Sequence, residues 1–219
     1  MGPVESRLCL ARKEIRAVGS GRTLTLICAL AVAGCDQGAG EVSGSWLEVP
    51  GCDGPETSRR FEPFHLHLGA MGAEREADVM VLRFAHDGQR TGLTDQLVVV
   101  VEGVDAARGE IASAGMASWV LGGPPALGRA SALPPGAPQV RASLALVGRC
   151  RYSSASLIAS GSATFTALGS SGGQRVAGEL TFDVLDARDG GLLGEGFTAS
   201  FDFDVEPGQP YRTYSPHEL

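Results

Sequence analysis

Two histidines separated by one residue, His65 and His67, are the first side chains in this sequence whose types and spacing suggest chemistry. Alternate residues of an extended strand share a face, so both imidazoles are expected on the same side. Such a pair binds Zn²⁺ or Cu²⁺ when a third ligand completes the site, and His86 and Glu62 are the candidates. No compact motif supplies that ligand, so we predict surface histidines, with no metal and no other cofactor.

Four acidic residues near the C-terminus form a second candidate cation site, because carboxylates are the ligands that Ca²⁺ prefers. They project from one face of a predicted hairpin whose register decides the outcome. One register places Glu179 opposite Asp202, which is unfavourable without a cation, and another places Arg175 opposite Asp204, which needs none. A solvated polar face is the simpler prediction. The four residues are Glu179, Asp183, Asp202 and Asp204.

Catalytic motifs give little support to an enzyme. The chain lacks His-Glu-x-x-His, a Walker loop and a Rossmann glycine pattern, and it has four histidines in 219 residues. We therefore predict a non-catalytic protein. The alternative is a metal-dependent or hydrolytic enzyme using His65 and His67.

A ligand-binding module is a third possibility. Arg149, Arg151 and Tyr152 are candidates for recognising an anion or a carbohydrate. A carbohydrate-binding surface would show aromatic side chains lined up on an exposed face. The available ones are Trp46, Trp119, Tyr152, Tyr211 and Tyr214.

The composition is that of a folded acidic domain. The chain is 43% hydrophobic and 20% charged, with a net charge of −7, which excludes disorder and argues against a nucleic-acid partner. Thirty-one glycines and 12 prolines indicate many turns between short strands.

The N-terminal segment has the pattern of an export signal. Five basic residues precede position 23, an uncharged run extends from Leu24 to Gly34, and Cys35 is followed at once by Asp36. The run of about 11 residues is too short to span a bilayer as a helix. The last four residues, Val32-Ala33-Gly34-Cys35, resemble the lipobox of bacterial lipoproteins. An ordinary secretory signal or a buried apolar helix is the alternative interpretation.

The resemblance implies that residues 1–34 are a cleaved signal peptide and that Cys35 is acylated as the first mature residue. It places the protein in the bacterial cell envelope, anchored to the inner or outer membrane by lipid. Two or more acyl chains suffice for stable anchoring. Val18 is an alternative start, in which case residues 1–17 are not part of the protein.

The cysteine count predicts one disulfide. Cys9 and Cys28 leave with the signal and Cys35 is taken by lipid, so Cys52 and Cys150 remain in an oxidising compartment. A metal-binding or catalytic thiol is the alternative, but no Cys-x-x-Cys motif is present.

Alternation of apolar and polar residues runs through most of the mature chain and predicts an all-β domain. We expect residues 35–45 to form a flexible tether and residues 46–219 a single antiparallel β-sandwich, immunoglobulin-like or jelly-roll-like. A proline- and glycine-rich loop is predicted at 121–139, and Asp105–Met116 is the one helical pattern, weakened by Gly109 and Gly115. The predicted function is binding or scaffolding of another envelope protein or a glycan.

Overall fold

The alternating sequence forms strands throughout the domain. A computed structural model describes residues 38–86, 94–122, 137–153 and 155–205, which contain twelve strands and one helix. The mostly-β fold is therefore confirmed. The predicted signal (residues 1–34), Cys35 and most of the predicted loop lie outside the described residues, so these remain predictions.

The elements follow one another along the chain with few long connections. Their bounds are β1 Ala39–Gly44, β2 Trp46–Pro50, β3 Ser58–Phe61, β4 Phe64–His67, β5 Ala70–Glu76, β6 Val79–Ala85, β7 Asp95–Glu102, α1 Val104–Ala114, β8 Ala117–Leu121, β9 Gln139–Leu146, β10 Leu157–Leu168, β11 Arg175–Asp186 and β12 Leu192–Asp204.

The strands belong to one curled, mixed sheet. Its order is β3-β2-β12-β11-β10-β8-β9-β7-β6-β5, with β1 paired to both β12 and β4. All pairings are antiparallel except that of β8 with β9, at Leu121 and Val140. Two consecutive residues connect β1 with β6: Leu68 N–H donates to Gly40 O at 3.2 Å and Gly69 N–H donates to Ala85 O at 2.9 Å. The finer prediction of a two-layered antiparallel sandwich is not confirmed.

A single hydrophobic core fills the inside of the curl. The rings of Phe84 on β6 and Phe201 on β12 lie 4.7 Å apart, centroid to centroid, although five strands separate them in the sheet order. Phe165 of β10 contacts Phe201 at 5.6 Å. Burial of each of these side chains contributes roughly 1.5–3 kcal/mol to folding. Contact across the inside of the curl is therefore what holds distant strands together.

The predicted flexible tether at 35–45 is wrong over residues 39–44, which form β1. Val42 is fully buried, and β1 pairs with β12 over Ala39–Ser43 and with β4 over Glu41–Gly44. Gly44 is part of the packing, since a Cβ there would lie 2.6 Å from the ring of Phe197. The small residues that suggest flexibility in the sequence are needed for close approach to the core. The domain thus begins before Trp46.

The helical pattern at Asp105–Met116 forms α1, from Val104 to Ala114. Val104, Ala107 and Ile111 are its buried residues, and Gly115 ends it in the left-handed conformation at φ 80°. Glycine at position 115 is thus a helix cap, which is why its effect on the predicted helix is small.

The C-terminal hairpin has the register that needs no cation. Arg175 pairs with Asp204 and Gly178 with Phe201, while Glu179 lies opposite Ser200. The predicted inward residues of both strands are buried, from Val176 to Val184 and from Phe197 to Val205. The alternative register, with Glu179 opposite Asp202, is wrong, because Asp202 lies opposite Ala177.

Candidate functional site

A band of polar side chains crosses the outer side of six neighbouring strands. Because each strand points its apolar residues into the core, the alternate residues face outward. The register places Glu41 opposite both His67 and Ser200, and Glu179 opposite both Ser200 and Thr164. We call this outer side of β4, β1, β12, β11, β10 and β8 the polar face. Its first row comprises His67, Glu41, Ser200, Glu179, Thr164 and Ser118.

A second row of polar residues lies beside the first. A hydroxyl pair links neighbouring strands in each row. In the second row, Ser43 Oγ lies 3.0 Å from Thr198 Oγ1, and in the first row, Ser118 Oγ lies 2.7 Å from Thr164 Oγ1. Serine and threonine hydroxyls both donate and accept hydrogen bonds. The second row comprises His65, Ser43, Thr198, Thr181 and Ser162.

The polar face is concave. A depression of about 650 Å³ lies along the first row, and a smaller one of about 250 Å³ adjoins it. Both are lined by Glu41, Glu179 and Ser200. A volume of this size accepts a small polar ligand or a segment of a partner.

Two carboxylates face each other across this depression. Glu41 and Glu179 lie on strands separated by β12, which corresponds to roughly 10 Å between their main chains. Both side chains are exposed. The arrangement offers hydrogen-bond acceptors on either side of a hydroxyl-lined floor, in full contact with water.

An arginine closes one end of the depression. Arg175 Nε and Nη2 donate to the two carboxylate oxygens of Asp202 at 2.7 and 2.6 Å. Hydrogen bonding by Arg175 holds the pKa of Asp202 below its ordinary value, against the opposing effect of burial. The same pair raises the pKa of Arg175. Asp202 is thus already neutralised by an arginine.

The structure does not bring the four acidic residues of the C-terminal hairpin together as a calcium site. Asp202 pairs with Arg175, and Asp183 Oδ1 accepts the N–H of Gly196 at 2.9 Å. Among the described residues, no group of three or more His, Cys, Asp or Glu side chains is placed to hold a metal ion.

The three histidines named as metal candidates occupy different environments. His65 and His67 are exposed on the polar face, where His65 Nδ1 lies 3.5 Å from Glu41 Oε1. His86 Nδ1 lies 2.9 Å from the backbone oxygen of His67, not from its imidazole. The structure thus brings His86 to the main chain of β4 and leaves the imidazole of His67 at the edge of the depression.

The two cysteines predicted to form a disulfide, Cys52 and Cys150, are at bonding distance. Cys52 Sγ and Cys150 Sγ are 2.00 Å apart, and 98 positions separate them in sequence. Next to them, Arg149 lies over the rings of Phe64 and Phe61, at 5.4 and 6.0 Å, and binds Asp95. Arg149 is therefore engaged within the fold, whereas Arg151 and Tyr152 are exposed.

The aromatic candidates do not form a line on one exposed face within the described part of the chain. Trp119 packs against the core and its indole N–H donates to Glu110 at 3.1 Å. Trp46 lies under Arg60 at 4.6 Å, and Tyr152 is 71% exposed. Tyr211 and Tyr214 lie outside the described residues.

Sequence reasoning missed Glu41, Ser200 and Thr164 as members of a site. Each comes from a strand far away in the chain, so only the strand order brings them together. The alternation from Gly40 to Gly44 was the available signal that β1 is a strand.

No protein-family model, curated protein or solved structure matches this chain. Within the described residues, no helix has the length and apolar character needed to cross a bilayer.

Proposed function

We propose that this protein is a lipid-anchored component of the bacterial cell envelope whose β-domain binds a polar partner on the polar face, without catalysis. The observation that supports binding is the concave, unbroken row of polar side chains across six strands. The lipobox-like sequence ending at Cys35 supports the anchor. A sandwich-like layering, with the two halves of the sheet packed through Phe84 and Phe201, is the finer architecture that we propose.

A binding role fits the depression better than a catalytic one. The carboxylates of Glu41 and Glu179 stand in an open surface, where nothing excludes water from a reaction. Ser200, which lies between them, and Thr164, which lies beside Glu179, offer hydroxyls suited to glycan hydroxyls or peptide amides. Envelope glycans and envelope proteins both present such groups. The hydrolytic alternative through His65 and His67 finds no buried orienting group in the part of the chain that the structure describes.

Site-specific photocrosslinking in cells tests this proposal. A photoreactive residue in place of Ser200 should give one discrete crosslinked product, because a partner seated in the depression lies over that position. The same residue in place of Arg141, exposed on β9 outside the polar face, is the matched control. Equal labelling from both positions, or none from Ser200, would contradict binding at the polar face.

Intact mass spectrometry tests the anchor separately. The mature chain should begin at Cys35 and have the added mass of acyl chains. A mature chain that begins elsewhere, or lacks this mass, would refute the lipid anchor without affecting the crosslinking result.

A further inference from the structure

Two arginines from different elements meet at one serine hydroxyl at the end of the sheet. Arg75 Nη1 and Arg108 Nη1 lie 3.3 and 3.1 Å from Ser170 Oγ. Arg75 belongs to β5, Arg108 to α1 and Ser170 to the turn between β10 and β11. Two guanidinium groups at one oxygen repel each other, and an anion bound between them would reverse that effect.

Of the two guanidinium groups in this arginine cluster, only that of Arg75 pairs with a carboxylate within the described residues. Arg75 Nη2 donates to Asp105 Oδ2 at 2.8 Å and Arg75 Nε donates to Ala77 O at 2.8 Å. Within the part of the chain that the structure describes, Arg108 makes no salt bridge; its partner is Ser170. The second nearby carboxylate, Asp78, accepts the backbone N–H of Asp105 at 3.0 Å. Among the described residues, Arg75 thus contacts a carboxylate directly, whereas Arg108 contacts a hydroxyl and no carboxylate.

The arginine cluster is open to solvent and held in place. The side chain of Arg75 is 23% exposed, and its three hydrogen bonds fix its orientation. Arg108 is half-buried and has guanidinium N–H groups beyond the one that binds Ser170. A guanidinium with free donors in a fixed orientation matches the oxygens of a phosphate group.

The cluster lies at the end of the sheet where the described chain begins. Gly38 is next to the backbone of Asp202 and Phe203. Two residues further along, Val205 exchanges backbone hydrogen bonds with the β10–β11 turn, from Gly173 N–H to Val205 O at 2.7 Å and from Val205 N–H to Gln174 O at 2.9 Å. Ser170 belongs to this same turn.

We infer that Arg75 and Arg108 bind a phosphate group, and that its source is a lipid headgroup of the membrane that anchors the chain. The inference rests on the proposed function, because acylation of Cys35 is what brings this end of the domain to the bilayer. Only Asp36 and Gln37 separate Cys35 from Gly38, a span of at most about 11 Å. The headgroup region is roughly 5–8 Å deep on each side of a bilayer, so this end of the domain reaches it.

Titration of the purified full chain with inorganic phosphate, followed by calorimetry, tests the binding chemistry. We expect Arg108→Gln to weaken phosphate binding by at least about tenfold, because a charge-assisted hydrogen bond is lost. Arg108→Lys should bind with intermediate affinity, since it keeps the charge and loses the planar fork. Arg141→Gln, which removes an exposed arginine paired with Glu102 on β9, should bind like the wild type. No binding by the wild type, or an equal loss in Arg141→Gln, would overturn the site.

Vesicle sedimentation tests the source of the phosphate. Full chains with Cys35→Ser should bind phosphatidylcholine vesicles more strongly than chains with Cys35→Ser and Arg108→Gln together, and inorganic phosphate should reduce the difference. Equal sedimentation of the two would overturn the headgroup as ligand, even where inorganic phosphate binds. Because the vesicle measurement uses chains without Cys35, a failure of the lipid anchor is recognised separately, by the mass of the mature chain.

Discussion

Asp95 and Arg149 form a buried ion pair at the turn that leads into Cys150. Asp95 is 2% exposed, its Oδ2 lies 2.9 Å from Arg149 Nε, and its Oδ1 accepts the backbone N–H groups of Gly148 and Arg149 at 2.8 and 3.1 Å. One carboxylate therefore satisfies three donors. It fixes the chain immediately before the cysteine that bonds to Cys52.

Replacing Asp95 by Asn should destabilise the domain by about 1–3 kcal/mol, because the amide cannot accept all three hydrogen bonds and Arg149 loses its counter-ion. Urea unfolding followed by fluorescence measures the change. Asp53→Asn is the control, since Asp53 pairs with Arg59 at 3.6 Å and both side chains are about half exposed; we expect less than about 0.5 kcal/mol there. Equal effects would mean that the buried pair adds nothing beyond a surface contact.

Removal of the disulfide should lower the free energy of unfolding by about 2–5 kcal/mol, since the bond closes a loop of 98 positions. Cys52→Ala with Cys150→Ala is the variant to compare with the wild type. Non-reducing peptide mapping checks the pairing directly. Free thiols at both positions in the exported protein would contradict it.

Local sequence patterns predicted which residues form strands better than they predicted which strands lie next to each other. The alternation from Val176 to Val184 determines which residues of β11 are buried, because the side-chain period of a strand is a local property. The path of β1 was missed, since Gly44 packs on Phe197, a residue 153 positions away in the sequence. A glycine in a sequence is compatible both with a flexible segment and with close packing. Only the residue that packs against it shows which of the two applies.

The polar face could not be predicted from the sequence, for a related reason. Its residues come from strands whose order in the sheet does not follow the chain, as β12 lies between β11 and β1. A sequence shows that Glu41, Glu179 and Ser200 face outward from their strands. It does not show that they share one depression, because strand order depends on contacts between distant residues.

A pair of glycine-to-alanine changes tests whether β1 is part of the fold. Gly44→Ala should destabilise the domain by about 1–3 kcal/mol, because the added methyl would meet the ring of Phe197. Gly109→Ala, on α1 with open space around it, should stabilise it by about 0.5–1 kcal/mol. Thermal unfolding of the two variants measures whether each change raises or lowers the stability of the domain. If Gly44→Ala left the stability unchanged, the prediction of a flexible tether at residues 35–45 would be supported again.

Asp186 should make folding dependent on acid pH. Its side chain is 6% exposed, and hydrogen bonding by Arg188 holds the pKa of this carboxyl below its ordinary value, against the opposing effect of burial. A carboxyl whose pKa is lower in the folded state stabilises the fold above the unfolded pKa of about 4 and loses that contribution as pH falls further. The stability difference between the wild type and Asp186→Asn should therefore shrink from about pH 4 downward. Arg188→Gln should remove most of this trend, and its persistence in that variant would show that another group causes it.

The exposed pair on β4 distinguishes a binding protein from a metal enzyme. His65→Ala and His67→Ala should each change the free energy of unfolding by less than about 0.5 kcal/mol, because both imidazoles lie outside the core. Leu66→Ala, between them and fully buried, should cost about 2–5 kcal/mol and serves as the control for the strand. Elemental analysis after dialysis should find no stoichiometric transition metal, since no buried side chain among the described residues fixes the tautomer of either ring. A bound metal that both histidine changes abolish would make the metal-dependent enzyme the leading hypothesis, with the depression beside His67 as its substrate site.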